Sequence, residues 1–304
     1  MKGKTLIVII GPTAVGKTRL AVRLARQWKT EIVSADSRQV FRELEIGTTK
    51  PSPEELAEVP HHFVGVKSIE EEYNAGQYGR DALAVIHQLF EKHDAVILCG
   101  GSGLYVKAVC EGLDDMPAVP SGLREKIMAE YNEKGLAWLQ KQVEESDPDY
   151  FVTIDQRNPH RLVRALELHY ATGKPVNELR QKKKQKHPFA IVKIGLELER
   201  DELYARIDRR MDKMIEAGLF EEAERLYPMK DLNALQTVGY QEIFGFLDGA
   251  YDRAEAIRLL KRNSRQYAKR QLTWFKKDKE VRWFGPDQLE EIMTFALTTL
   301  PNEQ

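Results

Sequence analysis

Gly11-Pro12-Thr13-Ala14-Val15-Gly16-Lys17-Thr18 fits the pattern G-x-x-x-x-G-K-[ST], and its flanks supply a strand before it and a helix after it. Leu6–Ile10 is a short apolar run rich in β-branched residues, as a strand buried on both faces requires. From Lys17 to Trp28, Leu20, Ala21, Leu24 and Ala25 recur at helical spacing. Glycines in such a turn let successive backbone N–H groups point at phosphate oxygens, and the following helix adds its positive N-terminal end. The phosphate-binding set is therefore Gly11, Thr13, Ala14, Val15, Gly16, Lys17 and Thr18. Lys17 supplies a point charge for a terminal phosphate, and the Thr18 hydroxyl is a ligand for Mg2+. A P-loop does not choose the reaction, because kinases, NTPases and users of prenyl diphosphates all have work for such a cradle.

Working outward, Glu31–Ala35 reads as a second strand, Ala75–Phe90 as a helix, and Ala95–Cys99 as a third buried strand running into Gly100-Gly101. Strands alternating with helices predict an α/β fold, a P-loop NTPase-like core with a parallel sheet. The alternation stops near Gly112, where Asp114-Asp115-Met116-Pro117 and Val119-Pro120-Ser121-Gly122 make a breaker-rich hinge. Beyond it come helical patterns at Leu123–Lys134, Leu136–Glu145 and Asn158–Ala171, the last stopped by Gly173-Lys174-Pro175. A lysine-rich run, Arg180–His187, precedes a new strand at Ala190–Leu196, and Val281–Phe284 is a candidate last strand. Resumption of strand after the helices predicts a small all-helical domain inserted into the core. The expected division is 1–113, first part of the core; 114–189, the insertion; and 190–304, completion of the core with basic C-terminal helices.

The 304 residues suffice for one large or two modest domains. Lys and Arg number 46 against 47 Asp and Glu, so the average charge neither favours nor excludes a nucleic acid. Two cysteines, Cys99 and Cys110, are too few for a disulfide framework or a four-ligand zinc site. The apolar run after Lys4 is too short for a signal core, and no stretch approaches the roughly 20 residues of a membrane span. A soluble, cytoplasmic, untargeted protein is expected, without membrane contact and as a monomer.

Ser34-Ala35-Asp36-Ser37-Arg38-Gln39-Val40-Phe41 follows the second strand. Ligands of open α/β sheets gather beyond the carboxyl ends of the strands, which would put Asp36 near the P-loop. A turn or N-cap aspartate is an equally good reading of that position. Gly100-Gly101-Ser102-Gly103-Leu104-Tyr105 reaches the same edge from the third strand. His61-His62 invites a metal reading, but adjacent side chains on a loop seldom converge on one ion, and no transition metal is expected there.

Basic residues are unevenly placed. Between Arg258 and Lys277 there are eight and no acid, with Arg258, Arg262, Arg265 and Lys269 along one helical face and Tyr267, Trp274 and Phe275 interleaved. A single-sign stripe points to a polyanion, whereas an ordinary solvated face mixes signs. Arg157, Arg161 and Arg164 likewise share one face of the inserted helix, unless nearby acids such as Glu167 neutralise them.

Gly11–Thr18, Ser34–Phe41, Gly47-Thr48-Thr49-Lys50-Pro51, Gly100–Tyr105, Arg157–Glu167 and Ser264–Phe275 together resemble, in order and spacing, the motif set of the tRNA dimethylallyltransferase (tRNA isopentenyltransferase) family. The resemblance spans nearly the whole chain. It departs at Phe41, where Tyr is common, and at Ser102 and Ser264, where Thr is common. Ser102 keeps the hydroxyl, while Phe41 loses one. The resemblance implies that the P-loop holds the diphosphate of dimethylallyl diphosphate, with Mg2+, and that Asp36 is the general base on N6 of a tRNA adenosine. It adds Lys17, Ser102 and Arg210 to the catalytic group, Arg210 from the basic segment Arg206-Ile207-Asp208-Arg209-Arg210-Met211. Toward the anticodon stem-loop it places Asp36, Ser37, Arg38, Gln39, His160, Arg161, Arg164, Gly239, Tyr240, Lys269, Arg270, Gln271 and Trp274. The acceptor it implies is the adenosine 3′-adjacent to the anticodon in tRNAs reading codons that begin with U. Eukaryotic members often carry an added zinc finger, and this chain resembles the bacterial type. A P-loop kinase with Asp36 as base, an adenylate prenyltransferase and a non-enzymatic RNA-binding protein remain the alternatives. The first and second leave the basic helices without work, and the third leaves the P-loop and Asp36 unexplained.

Overall fold

The computed structural model describes residues 3–180 and 184–299, so Gln181–Lys183 of the lysine-rich run lie outside the described residues. The chain divides into two compact units, one of 1–111 with 185–304, the other of 112–184.

The first unit begins with β1 (Thr5–Ile10), α1 (Lys17–Trp28), β2 (Ile32–Ser34), α2 (Pro53–Glu58), β3 (His61–His62), α3 (Ala75–Leu89), β4 (Ala95–Gly100) and α4 (Gly103–Cys110). The second unit contributes α5 (Leu123–Ser146), α6 (Pro148–Thr153), α7 (Pro159–Thr172) and α8 (Val176–Leu179). The chain then returns through β5 (Ala190–Leu196), α9 (Arg200–Glu216), α10 (Leu219–Leu226), α11 (Gln241–Leu247), α12 (Arg253–Phe275), β6 (Arg282–Phe284) and α13 (Leu289–Thr299). Among the described residues the strands form one six-stranded sheet in the order β3-β2-β4-β1-β5-β6, with every pairing parallel.

β1 is buried along its whole length because helices cover both sides of the sheet. Its alternate residues part between two cores. Ile7 and Ile9 join α1 residues such as Leu20 and Leu24, while Leu6, Val8 and Ile10 join Tyr78, Ile86 and Val109 from α3 and α4. A third cluster, separate from the sheet, gathers Leu44, Met211, Leu219, Tyr240 and Leu260.

The insertion begins and ends where the Gln185 N–H donates to the Glu111 carbonyl at 2.7 Å, which brings its two ends together. The helices expected over Leu123–Lys134 and Leu136–Glu145 are both present within α5, parted at Gly135, whose φ of 79° and ψ of −177° are not helical. His61 and His62 form a short strand rather than a loop. Successive side chains of a strand face opposite ways, and His62 Nε2 meets Glu31 at 2.7 Å while His61 Nδ1 meets the Val59 carbonyl at 2.7 Å.

Candidate active site

Strand register decides what meets at the sheet's carboxyl edge. Ile10 lies level with Gly100 and with Gly195, and Ser34 lies level with Cys99. The loops after β1, β2 and β4 therefore leave one edge side by side, which brings the P-loop, Asp36 and Ser102 together.

The P-loop turn is built from residues in left-handed backbone. Ala14 lies at φ 64° and Gly16 at φ 107°. Ala14 does so despite its Cβ, an arrangement that costs on the order of 1–3 kcal/mol and persists only where surrounding structure imposes it. Gly16 caps α1 without a side-chain hydrogen bond, so the first N–H groups of that helix remain for an anion. Lys17 Nζ donates to the Pro12 carbonyl at 2.7 Å. Burial pulls the Lys17 ammonium down to about 8, with Arg210 adding to the shift and Asp36 opposing it.

Asp36 is a turn aspartate and a cavity residue at once. Its Oδ1 accepts from the Arg38 and Gln39 N–H groups at 2.9 and 3.2 Å, and the same residue lines the cavity beside Lys17 and Thr18. Ser102 Oγ accepts from the Ser37 N–H at 2.9 Å and donates to Ser37 Oγ at 3.1 Å, fastening the loop after β4 to the loop after β2. Arg38 donates to the carbonyls of Asn233 and Ala234 at 3.0 and 3.1 Å, and burial lowers its pKa.

Two residues from far along the chain complete this edge. Arg210, on α9, reaches Thr13 Oγ1 of the P-loop at 3.1 Å, with its pKa lowered by burial. Gln271, on α12, accepts from the Thr13 N–H at 2.8 Å and donates to the Gly101 carbonyl at 2.8 Å. Gln271 was expected at the RNA, but it is buried and its amide is spent joining two loops of the site. Thr13, Lys17, Asp36, Arg38, Arg210 and Gln271 line a cavity of about 300 Å3 within the first unit, within the size range of small-ligand sites, and Ser102 stands behind its wall on the Ser37 turn. Cys99 also lines it, but burial pushes its thiol up to about 12, which leaves it protonated and inert.

Glu222 carries no signal in the sequence that sets it apart from Glu221. Its carboxylate, 2% exposed, accepts from the N–H groups of Glu45, Ile46 and Gly47 at 3.1, 2.8 and 2.8 Å and from the Tyr240 hydroxyl at 2.6 Å. It thus fixes Gly47-Thr48-Thr49-Lys50-Pro51, which forms one side of the cavity. A Cβ at position 47 would strike the Tyr240 ring, so the loop lies flat on that ring only because residue 47 is glycine. Tyr240, expected to touch RNA, is wholly buried by this arrangement, and Gly239 is buried with its N–H donated to Glu242 at 2.8 Å.

The basic stripe on α12 is less uniform than it reads in the sequence. Arg258 pairs with Glu255, Lys261 with Asp212, Arg265 with both oxygens of Asp208 and Lys276 with Glu197. Two of these four acids, Asp208 and Asp212, come from α9, which a single helix's sequence does not reveal. Lys269 and Arg270 are exposed and have no acidic partner among the described residues, and Trp274 is exposed beside them. In the second unit, His160 and Arg161 are exposed on α7, while Arg164 joins Arg124 on the buried carboxylate of Glu167.

A model of the family described as IPP transferase matches residues 39–278. A tRNA dimethylallyltransferase of Cytophaga hutchinsonii is 55% identical over 96% of both chains. A tRNA dimethylallyltransferase 1 of Bacteroides fragilis is 48% identical over 99% of this chain and all of that one. Among solved structures, a tRNA isopentenylpyrophosphate transferase of Bacillus halodurans superposes with a TM-score of 0.72 at 38% identity, covering 98% of this chain and 97% of that one. A eukaryotic dimethylallyltransferase acting on tRNA superposes with a TM-score of 0.78 at 24% identity over 99% of this chain and 81% of its own, which speaks to the fold alone.

Proposed function

This chain belongs to the IPP transferase family, and from that premise we infer that it is a tRNA dimethylallyltransferase, a prenyltransferase that modifies tRNA. The donor in this reading is dimethylallyl diphosphate, and the acceptor is N6 of the adenosine 3′-adjacent to the anticodon in tRNAs reading U-starting codons. The observation that carries the chemistry is a carboxylate, Asp36, lining the same cavity as a P-loop whose Thr13 is held by Arg210.

The diphosphate sits against the P-loop N–H groups, Lys17 and Arg210. Negative charge accumulates on it as the C1–O bond breaks, and these groups offset that charge without having to reorganise. N6 attacks C1, its proton becomes acidic as the C–N bond forms, and Asp36 takes it. Asp36 Oδ1 is held by two backbone donors, and Oδ2 has no protein partner among the described residues, which leaves an oxygen for that proton. Ser102 holds the Ser37 turn that presents Asp36. The acceptor base has to leave its stack to reach a cavity at the sheet edge. Exposed Lys269, Arg270 and Trp274 offer phosphate attraction and a stacking face for the RNA.

The Thr18 hydroxyl is a hard oxygen donor in the cavity wall beside the P-loop, which suits Mg2+. Thr18 would hold the ion, which would supply further positive charge to the diphosphate.

The test is incubation of the protein with labelled dimethylallyl diphosphate and bulk tRNA, with free AMP and an ATP-hydrolysis assay alongside. Label entering tRNA alone is expected. Label entering AMP, or ATP turnover without prenyl transfer, would favour the competing enzymes.

A further inference from the structure

We propose that Met211 and Met214 form the floor that limits the prenyl chain to a single isoprene unit, so that these two thioethers set donor length. The proposal rests on the prenyltransferase reading above.

The cavity is lined by polar groups of the P-loop and the Asp36 turn, and α9 contributes three of its large aliphatic side chains. Ile207, Met211 and Met214 come from α9, and Val238 from the loop before α11. At spacings of four and three residues the α9 trio shares a single helical face. Arg210, the residue that meets the P-loop at Thr13, is the immediate neighbour of Met211 and also lines the cavity. One helix therefore presents both a phosphate-facing cation and an apolar surface. With 1.5 Å of rise per residue, Met214 stands about 6 Å along α9 from Arg210, close to the reach of a five-carbon chain from its diphosphate.

The floor is firm. Met211 is 4% and Met214 8% exposed, and both belong to the same core cluster as Leu44, Leu219 and Tyr240. Methionine side chains are adaptable where they are free, but here the packing behind them removes the room to swing. A second isoprene unit would have to displace them into that core. Truncation to alanine removes Cγ, Sδ and Cε from each and extends the cavity along the direction a longer chain needs.

The test measures transfer to tRNA from dimethylallyl diphosphate and from geranyl diphosphate, as kcat/KM, for the full chain. The unsubstituted protein is expected to favour the shorter donor by about 100-fold or more, given how strongly a full pocket rejects added methylenes. Met214→Ala and Met211→Ala are each expected to narrow that ratio about tenfold, and the double variant further. Met214→Val, milder in its effect on the core, should shift the ratio the same way by less. Met214→Phe should lower transfer from dimethylallyl diphosphate while inorganic pyrophosphate inhibits as before. A ratio unchanged in Met214→Val and in every folded alanine variant, as judged by circular dichroism, overturns the proposal. Absence of any transfer from dimethylallyl diphosphate in the unsubstituted protein overturns instead the reading on which it rests, and the proposal with it.

Discussion

Arg210 Nη1 lies 3.1 Å from Thr13 Oγ1, so a helix that follows the insertion puts a guanidinium onto the loop that opens the fold. Removing it takes away a charge already in place where the leaving group forms. Arg210→Ala should lower kcat/KM for the prenyl donor by about 100-fold. Arg210→Lys should recover only part of this, because an ammonium lacks the planar fork. Steady-state kinetics with varied donor and saturating tRNA decide it.

Asp36→Asn keeps an oxygen for the Arg38 and Gln39 N–H groups and removes the base. Turnover should fall by about 10²- to 10⁴-fold. The affinity for tRNA, measured by filter binding, should stay within about threefold, since the substitution changes one polar atom and leaves the turn intact. Retained turnover would remove Asp36 from the chemistry.

Lys17 titrates at about 8 because it is buried. The ammonium is what attracts a diphosphate, so kcat/KM for the donor should fall as pH rises through about 8, and Lys17→Arg should move that limb upward. Stability runs the other way. With the folded pKa below the unfolded one, the unfolded chain binds the extra proton between about pH 8 and the ordinary lysine value of 10.5, so this residue's contribution to stability rises with pH there. Lys17→Met should accordingly raise the melting temperature at pH 7 while transfer is lost. A lower melting temperature would show that the hydrogen bond from Lys17 to the Pro12 carbonyl outweighs the cost of burying the charge.

Glu222→Ala would leave three backbone N–H groups and the Tyr240 hydroxyl without their acceptor. A loss on the order of 3 kcal/mol of unfolding free energy is expected in urea titration. The Gly47–Pro51 loop should loosen with it, raising KM for the donor. A variant as stable as the parent would mean that the loop finds other partners.

The core was legible because its signals are local. β5 falls over Ala190–Leu196 as the apolar run predicts, and α1 over Lys17–Trp28, since a buried strand and an amphipathic helix each write their period into adjacent residues. β3 has two residues, too few for any period to show. The Glu222 cage was invisible for a different reason. Phe220-Glu221-Glu222-Ala223 reads as an ordinary amphipathic helix, and only the loop folded over it tells the buried glutamate from its exposed neighbour. The α12 stripe is partly masked in the same way, because Asp208 and Asp212 on another helix pair with Arg265 and Lys261. The α12 segment stands out by its charge, yet its uncharged polar residues Ser264 and Gln271 are the ones buried against the cavity.

Thr13 and Gln271 are 258 positions apart, and their hydrogen bond gives the protein a timetable. A ribosome adding about 5–20 residues per second takes tens of seconds to go from one to the other. Throughout that interval the emerging P-loop lacks the amide that ties it to Gly101, and for most of it the guanidinium as well. The loop that opens the fold thus reaches its final hydrogen bonding only after α9 and α12 have been made.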